Sequence, residues 1–232
     1  MNYFNLSEIE ENLNIKFSNP EYIMIALTHS SYAKQFANEK YNERLEYLGD
    51  SVLQLVITEY LFKHYTDKTE GQLSRVRSLI VCENSLYKIS NNLKLSKYIR
   101  MSKGEEITGG RERVSILGDA VEAVIAAIYL DQGFEVAKKF ILKNFEDIIY
   151  KAINNQIIRD FKTYFQEYIQ RNGSANITYE VTGFEGPPHR RKFFIELYLN
   201  GELVGKGSGF SKKEAEQNAA KQALINAGEY NE

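Results

Sequence analysis

The chain has 232 residues, 43% of them hydrophobic and 26% charged, which is enough apolar material for one or two folded domains and excludes a disordered chain. Its formal net charge of −2 gives no sign of a polyanionic partner, so recognition of nucleic acid would have to rest on a local arrangement of charge. With one cysteine, Cys82, and no apolar run of about 18 residues, we expect a cytoplasmic protein without an intrachain disulfide, a signal peptide or a membrane span.

Residues 1–150 show successive helical patterns and few strand-like alternations, and Pro20 is the only proline among them. We therefore predict that this part of the chain forms an all-α domain. Its histidines, His29 and His64, have no second histidine or cysteine at the spacing of a zinc site, and we interpret them as polar structural residues. The Gly-Gly-Arg segment at residues 109–111 lies between helical patterns, where a glycine pair forms a turn more often than a phosphate contact.

One predicted helix carries an acidic stripe next to a hydrophobic face. Glu43, Glu46 and Asp50 stand at positions i, i+3 and i+7, which places them within roughly 60° of one another around a helix. The other positions of residues 42–56 are largely apolar, so the stripe borders the domain core. Ionised carboxylates there are unfavourable unless they are paired, hydrogen-bonded or bound to metal, and only Arg44 supplies a nearby positive charge.

A second predicted helix repeats this arrangement. Residues 114–130 are nearly all apolar or small, and their only charges are Asp119 and Glu122, which are three positions apart and therefore share a face. Apolar residues around the whole circumference predict a helix buried in the domain interior. A lone acid there could be a satisfied core residue. Two acids beside a matching stripe on another helix favour one shared site for a hard divalent cation such as Mg²⁺ or Mn²⁺.

The pattern changes after a polar stretch that suits a linker over residues 151–159. Residues 160–229 then predict a second domain with the element order α-β-β-β-α, which is an α+β arrangement. Its predicted elements are a helix at 160–170, strands at 177–181, 192–199 and 202–207, and a final alanine-rich helix.

Two short sequence motifs support the predicted starts of the third strand and of the final helix. Asn200 and Gly201 lie between two predicted strands and are typical of a type I′ hairpin turn. Ser211 and Glu214 are three positions apart at the start of the last helix, which is the pattern of a capping box.

Two segments of the second domain are suited to bind a polyanion. Lys212 and Lys213 lie in the first turn of the last helix, where free N–H groups and the helix dipole already favour phosphate. The loop at residues 186–192 contains two prolines, His189 and a basic run, and suits the shallow minor groove of duplex RNA.

The chain resembles the ribonuclease III family in several segments. Residues 42–53, Asn-Glu-Arg-Leu-Glu-Tyr-Leu-Gly-Asp-Ser-Val-Leu, closely resemble the family signature, and residues 117–130 resemble its second acidic helix. The resemblance implies an all-α endonuclease domain of the ribonuclease III type that forms a homodimer through this domain. Further family-like segments occur in order at residues 27–33, 70–75, 103–105 and 109–111.

Carried over position by position, the resemblance implies that Glu46, Asp119 and Glu122 are metal ligands. It implies that Asp50 and Glu122 are the residues most needed for cleavage, and that Glu43 is a supporting acid. The implied cofactor is Mg²⁺, with Mn²⁺ as a substitute.

The second domain resembles the double-stranded-RNA-binding domain. This resemblance implies that Gln166 and His189 contact minor grooves and that Lys212 and Lys213 contact phosphates. Many such domains have a further lysine shortly after the lysine pair, whereas this chain has Glu216 and Gln217. We therefore expect weaker phosphate binding and a shallower salt dependence than in those domains.

Together, these expectations describe an endoribonuclease that hydrolyses double-stranded RNA with a Mg²⁺-activated water. Its products should carry 5′-phosphate and 3′-hydroxyl ends, with short 3′ overhangs by resemblance, and its substrates should include precursors of rRNA and structured mRNA and tRNA transcripts. Two alternatives remain open. A regulator could bind duplex RNA without cleaving it, and an unrelated metal-dependent phosphohydrolase would act on mononucleotides.

Overall fold

The structure is a computed structural model that describes residues 5–36, 39–154, 160–171, 175–187 and 190–230. The chain divides into two compact units, Met1–Ile153 and Asn154–Glu232. The first unit is helical and the second combines helices with a sheet, which is the organisation that the sequence predicts. Within the described ranges, no helix combines the length and the hydropathy needed to cross a membrane.

The first unit is built from helices over its described residues. Outside the helices, Thr28 and Arg100 form an isolated parallel β-bridge. Two short 3₁₀ turns, Leu95–Lys97 and Gly110–Glu112, connect longer elements. The α-helices are α1 (Leu6–Leu13), α2 (Pro20–Ala26), α3 (Ser30–Ala33), α4 (Glu43–His64), α5 (Glu70–Ile80), α6 (Glu83–Asn92), α7 (Lys103–Ile107), α8 (Val114–Gln132) and α9 (Phe134–Ile153).

Helix α8 lies at the centre of the first unit, and α2, α4, α6 and α9 pack against it. Its residues from Ile116 to Ile128 are buried except at Asp119, which explains why this part of the sequence is almost continuously apolar. Gly133 has a φ of +83° and ends α8, and α9 begins at the next residue. Helix α9 continues through Ile153, so the first three residues of the predicted linker are helical.

The start of α4 is anchored to the core by its backbone. Asn42 is buried, and its N–H donates to the carbonyl of Thr28 at 2.9 Å. The Asn42 carbonyl accepts the N–H groups of Leu45 and Glu46 at 2.8 and 2.9 Å. Because these bonds set where α4 begins, they also set the position of the acidic stripe along it.

Helices α4 and α8 approach each other most closely at Gly49. A Cβ atom placed on Gly49 would lie 1.8 Å from the backbone oxygen of Glu122, a distance that no real contact reaches. Gly118 of α8, which like Gly49 lies between a leucine and an aspartate, has a different environment, since a Cβ there would lie 3.5 Å from the Cβ of Leu86. Only Gly49 is therefore required by the helix contact.

We predict that Gly49→Ala destabilises the first unit by about 2 kcal/mol or more, because the added methyl group forces α4 and α8 apart. Gly118→Ala is the matched control and should change the free energy of unfolding by less than about 1 kcal/mol. Denaturant unfolding followed by circular dichroism measures both. Equal destabilisation of the two variants would contradict this explanation.

The second unit is a three-stranded antiparallel sheet, in the order β1-β2-β3, packed against two helices. Its core includes Phe165, Ile195, Leu197, Ala219 and Leu224. The elements are α10 (Phe161–Arg171), β1 (Ile177–Glu185), β2 (Lys192–Leu199), β3 (Glu202–Gly209) and α11 (Lys212–Asn226).

The predicted hairpin turn between β2 and β3 is confirmed. Asn200 and Gly201 have φ values of +52° and +87°, as a type I′ turn requires. The capping prediction is half right: the Glu214 N–H donates to Ser211 Oγ at 3.1 Å, but the Glu214 carboxylate accepts from the N–H of Phe210 at 2.7 Å.

Two strands are longer than the sequence predicts. Strand β1 continues beyond a bulge between Val181 and Gly183, where the regular alternation is lost. Strand β3 continues to Gly209, through glycines that usually weaken a strand. A Cβ on Gly207 would lie 2.2 Å from the backbone oxygen of Ala215, so this glycine allows α11 to pack directly on β3.

Candidate active site and nucleic-acid interface

Three carboxylates from two helices meet at one point of the first unit. Glu46 comes from α4, and Asp119 and Glu122 come from α8. One carboxylate oxygen of each lies within 4.8 Å of the others. Glu122 is only 9% exposed, and the other two are partly buried. This all-oxygen donor set fits a hard divalent cation, so the residues present suit the metal that the sequence predicts.

Burial, followed by repulsion from neighbouring carboxylates, raises the pKa values of all three acids. The pKa of Glu122 rises to about 8, mainly through burial and then through the charges of Asp50, Glu46 and Asp119. The pKa of Glu46 is raised by burial and by Asp119, Glu43 and Asp50. Each of these neighbouring charges is itself a carboxylate. A divalent cation would oppose this repulsion directly.

Glu83, an acid outside the cluster of three, also raises the pKa of Asp119. Burial raises the pKa of Asp119 most, followed by the charge of Glu83 at the start of α6 and then by Glu43. Sequence reasoning missed Glu83, because only the packing of α6 on α8 brings it near the cluster.

Asp50 and Glu43 lie beside the three clustered acids. Asp50 is one turn after Glu46 on α4, and Gln54 Nε2 donates to both of its carboxylate oxygens at 2.9 Å. Glu43 lies in the exposed first turn of α4, and its charge acts on Glu46 and on Asp119. Gln54 was also missed from the sequence, although its spacing of four residues from Asp50 is a recognisable helical signal.

The segment at residues 109–111 is a structural turn, the more frequent interpretation of its glycine pair. Gly110 is buried, and a Cβ on it would lie 2.8 Å from the Glu105 carbonyl. The Arg111 guanidinium pairs with Glu106 and donates to the carbonyl of Ile99 at 3.2 Å. These contacts occupy the arginine within its own domain.

Three of the four predicted RNA-binding residues are described, and all three are exposed on the second unit. Gln166 is exposed on α10, and Lys212 and Lys213 are exposed in the first turn of α11. His189 lies outside the described residues.

Glu216, which replaces the further lysine of many related domains, is paired within the unit. Its carboxylate lies 2.7 Å from Lys162 Nζ on α10. Lys162 also stands 4.7 Å from the ring centroid of Tyr179. The pair neutralises a lysine close to Gln166 on the same helix, which agrees in direction with the weaker phosphate binding expected from the sequence.

In metal-free protein, we predict that the free energy of unfolding falls as pH rises from about 4.5 to about 8. The folded state keeps the Glu122 proton up to a pKa of about 8, while the unfolded state loses it near the model-compound value of 4.5. Glu122→Gln should remove much of this fall. Chemical unfolding in chelator at several pH values measures it, and parallel pH profiles for parent and variant would contradict it.

We predict that Glu216→Gln tightens binding of duplex RNA about two- to five-fold at low salt, because it releases Lys162 to interact with phosphate. Its salt dependence should be steeper than that of the parent. Fluorescence anisotropy over a salt series measures both quantities. Glu202→Gln, the same charge change in the β2–β3 hairpin, is the control, and identical behaviour of the two variants would refute the prediction.

Comparisons with known proteins agree with this architecture. The family model described as "Ribonuclease-III-like" matches residues 19–148, and that of the "Double-stranded RNA binding motif" matches residues 161–226. The chain is 63% identical to "Ribonuclease 3" of Clostridium perfringens, over 99% of this chain and 97% of that protein. It is 64% identical to "Ribonuclease 3" of Clostridium beijerinckii, over 97% of each.

A solved structure shows the same relationship for the first unit. The nuclease domain of ribonuclease III from Campylobacter jejuni matches with a TM-score of 0.58 and 45% sequence identity, and the match covers 62% of this chain and 97% of that one. Its description refers to structural flexibility in a region involved in dimer formation. From both domains and from relatives that match along nearly the whole length, the chain belongs to the ribonuclease III family of double-stranded-RNA endoribonucleases.

Proposed function

We propose that this protein cleaves both strands of duplex RNA with Mg²⁺ bound at its acidic cluster, acting in the cytoplasm on rRNA precursors and structured mRNA and tRNA transcripts. The observation that carries the proposal is the convergence of Glu46, Asp119 and Glu122 within 4.8 Å in a chain that also holds a double-stranded-RNA-binding domain. The second unit binds the duplex, and the first unit supplies the chemistry.

The three clustered acids would hold the cation. When bound, a divalent cation of this kind supplies a water of lowered pKa and neutralises charge on the scissile phosphate. Glu122 is the most buried of the three, so its carboxylate is the least able to be solvated by water in place of a cation. Mn²⁺ suits the same oxygen ligands and should substitute.

Asp50 would accept a hydrogen bond from the attacking water. Gln54 Nε2 donates to both carboxylate oxygens of Asp50, which orients the carboxylate. A water nucleophile leaves the ribose 2′-hydroxyl unused. Water would form the new bond to phosphorus while the bond to the 3′-oxygen breaks, so the products should carry 5′-phosphate and 3′-hydroxyl ends.

The direct test is cleavage of an end-labelled RNA duplex by the parent and by Glu122→Gln, each with Mg²⁺ or with chelator. We expect the parent to cleave with Mg²⁺ and not with chelator. The cleavage rate of the variant should be at least about 100-fold lower, since the substitution removes one proposed ligand and keeps the fold. Glu11→Gln, an exposed acid on α1, is the control and should cleave like the parent.

The same assay distinguishes the alternatives. A duplex that is shifted on the gel but uncut under every condition would indicate a binding regulator and contradict the proposal. Turnover of mononucleotides with no cleavage of duplex RNA would indicate the unrelated phosphohydrolase.

We also propose that two copies associate through α4, so that two acidic clusters act on one duplex. Tyr47, Leu55 and Phe62 are 80%, 57% and 72% exposed, and their spacing places them within about 80° around the helix. Three large apolar side chains on one helix face form a patch that favours burial against a partner. A two-fold dimer would match the approximate dyad of an RNA duplex, and staggered cuts would give short 3′ overhangs.

We predict that Leu55→Asp converts the dimer to a monomer that is at least about tenfold slower on duplex RNA, because it buries a charge in the interface. Light scattering coupled to size exclusion measures the mass. Ile107→Asp is the matched control, since Ile107 is 84% exposed on a different helix, α7. Dimers of Leu55→Asp with full activity would contradict this interface.

A further inference from the structure

Phe210 connects the β3 strand to the lysine-bearing end of α11. Its side chain is 58% exposed, although it is a large apolar group. Its N–H donates to the Glu214 carboxylate at 2.7 Å, and the Glu214 N–H donates to Ser211 Oγ at 3.1 Å. These two bonds fix the Phe210 backbone to the turn of α11 that carries Lys212 and Lys213.

The Phe210 ring lies against an arginine from a different segment. The Arg190 guanidinium carbon is 5.9 Å from the centroid of the Phe210 ring, within the range of a cation–π contact. The backbone at Arg190 is also held, because its N–H donates to the Pro187 carbonyl at 2.9 Å. Gly186, with a φ of +91°, makes room for this turn: a Cβ there would lie 2.8 Å from the Arg190 carbonyl.

Arg191, the next residue, also lies against an aromatic ring. The Arg191 guanidinium lies 4.3 Å from the centroid of the Phe184 ring, and Phe184 packs at a ring distance of 6.5 Å from Phe193. Among the described residues, the buried Arg191 Nε has no hydrogen-bond acceptor. Neither arginine forms an ion pair within the described part of the chain.

An arginine held by a ring face and not by a carboxylate keeps its full charge and its N–H groups for an external acceptor. The ring restricts the side chain in advance, so less conformational entropy is lost when the guanidinium binds phosphate. An ion pair would restrict the side chain too, but it would also neutralise the charge, as Glu216 does for Lys162.

We propose that Phe210 is a positioning residue for duplex RNA, whose ring holds Arg190 at a set distance from Lys212 and Lys213 so that the three cations bind phosphates of one duplex together. The inference rests on the proposed function, since it concerns how the same domain binds the substrate. It adds a residue with no charge or hydrogen-bonding side chain to the RNA-binding surface.

Loss of the ring should weaken binding without changing the chemistry. An exposed cation–π contact corresponds to about a two- to five-fold change in an equilibrium constant. We therefore expect Phe210→Leu to raise the Kd for duplex RNA, and the KM for cleavage, by about two- to five-fold. The kcat should be unchanged, because the acidic cluster lies in the other unit.

The test is a double-mutant cycle in the full-length protein. Binding of one RNA duplex is measured by anisotropy for the parent, Phe210→Leu, Arg190→Ala and the double variant, and KM and kcat are measured alongside. If Phe210 acts through Arg190, the double variant should bind like Arg190→Ala alone. Phe210→Tyr keeps the ring and should bind like the parent. Leu203→Ala, at a residue 45% exposed on β3, is the control for loss of an exposed apolar group.

Three results for the Phe210 and Arg190 variants would overturn this inference and leave the proposed function standing: parent-like binding by Phe210→Leu, equal weakening by Phe210→Tyr, or additive effects of the Phe210 and Arg190 substitutions. A weakening by Leu203→Ala as large as that by Phe210→Leu would also overturn it, because a general effect on the fold would then explain both. Failure of the parent itself to bind duplex RNA would instead overturn the proposed function.

Discussion

The contact between α4 and α8 at Gly49 is the constraint on which the acidic cluster depends. The position where a Cβ of Gly49 would stand is filled by the carbonyl of Glu122, so the two helices are as close as their backbones allow. Glu46 lies three residues before this contact on α4, and Asp119 lies three residues before it on α8. A single close approach therefore places carboxylates from both helices within reach of one cation.

This arrangement is electrostatically unfavourable on its own. Burial and neighbouring carboxylates raise the pKa values of Glu46, Asp119 and Glu122, and no positively charged side chain in the described part of the chain contributes to the shifts. Buried like charges of this kind are retained where function requires them, and a divalent cation removes the repulsion. The burial of apolar side chains along α8 stabilises the unit and offsets the electrostatic cost of the clustered carboxylates.

In the second unit, the charges that matter for the proposed function are positive and exposed, whereas those of the acidic cluster are negative and partly or fully buried. Lys212 and Lys213 remain exposed at a helix start, while Lys162 is paired with Glu216. Arg190 is held by an aromatic ring that leaves its charge intact. The affinity for duplex RNA would then depend on which cations the fold leaves available, and the near-neutral whole chain does not reveal this.

Much of the fold could be predicted from the sequence because its signals are local. Helical spacing grouped Asp119 with Glu122, and Asn200-Gly201 marked the hairpin between β2 and β3. Contacts between distant segments could not be found in this way. Glu83 reaches the cluster only through tertiary packing, and the long β3 strand tolerates its glycines because α11 packs on them.

The roles of the site residues are the part that spacing alone supports least. Titration calorimetry with Mn²⁺ on the parent, Asp119→Asn, Glu122→Gln and the control Glu11→Gln tests the proposed ligands without depending on RNA. We predict binding by the parent and the control, and at least about tenfold weaker binding by the two cluster variants, since each removes one carboxylate ligand. Equal affinity in all four proteins would contradict the assignment of this cluster as the metal site.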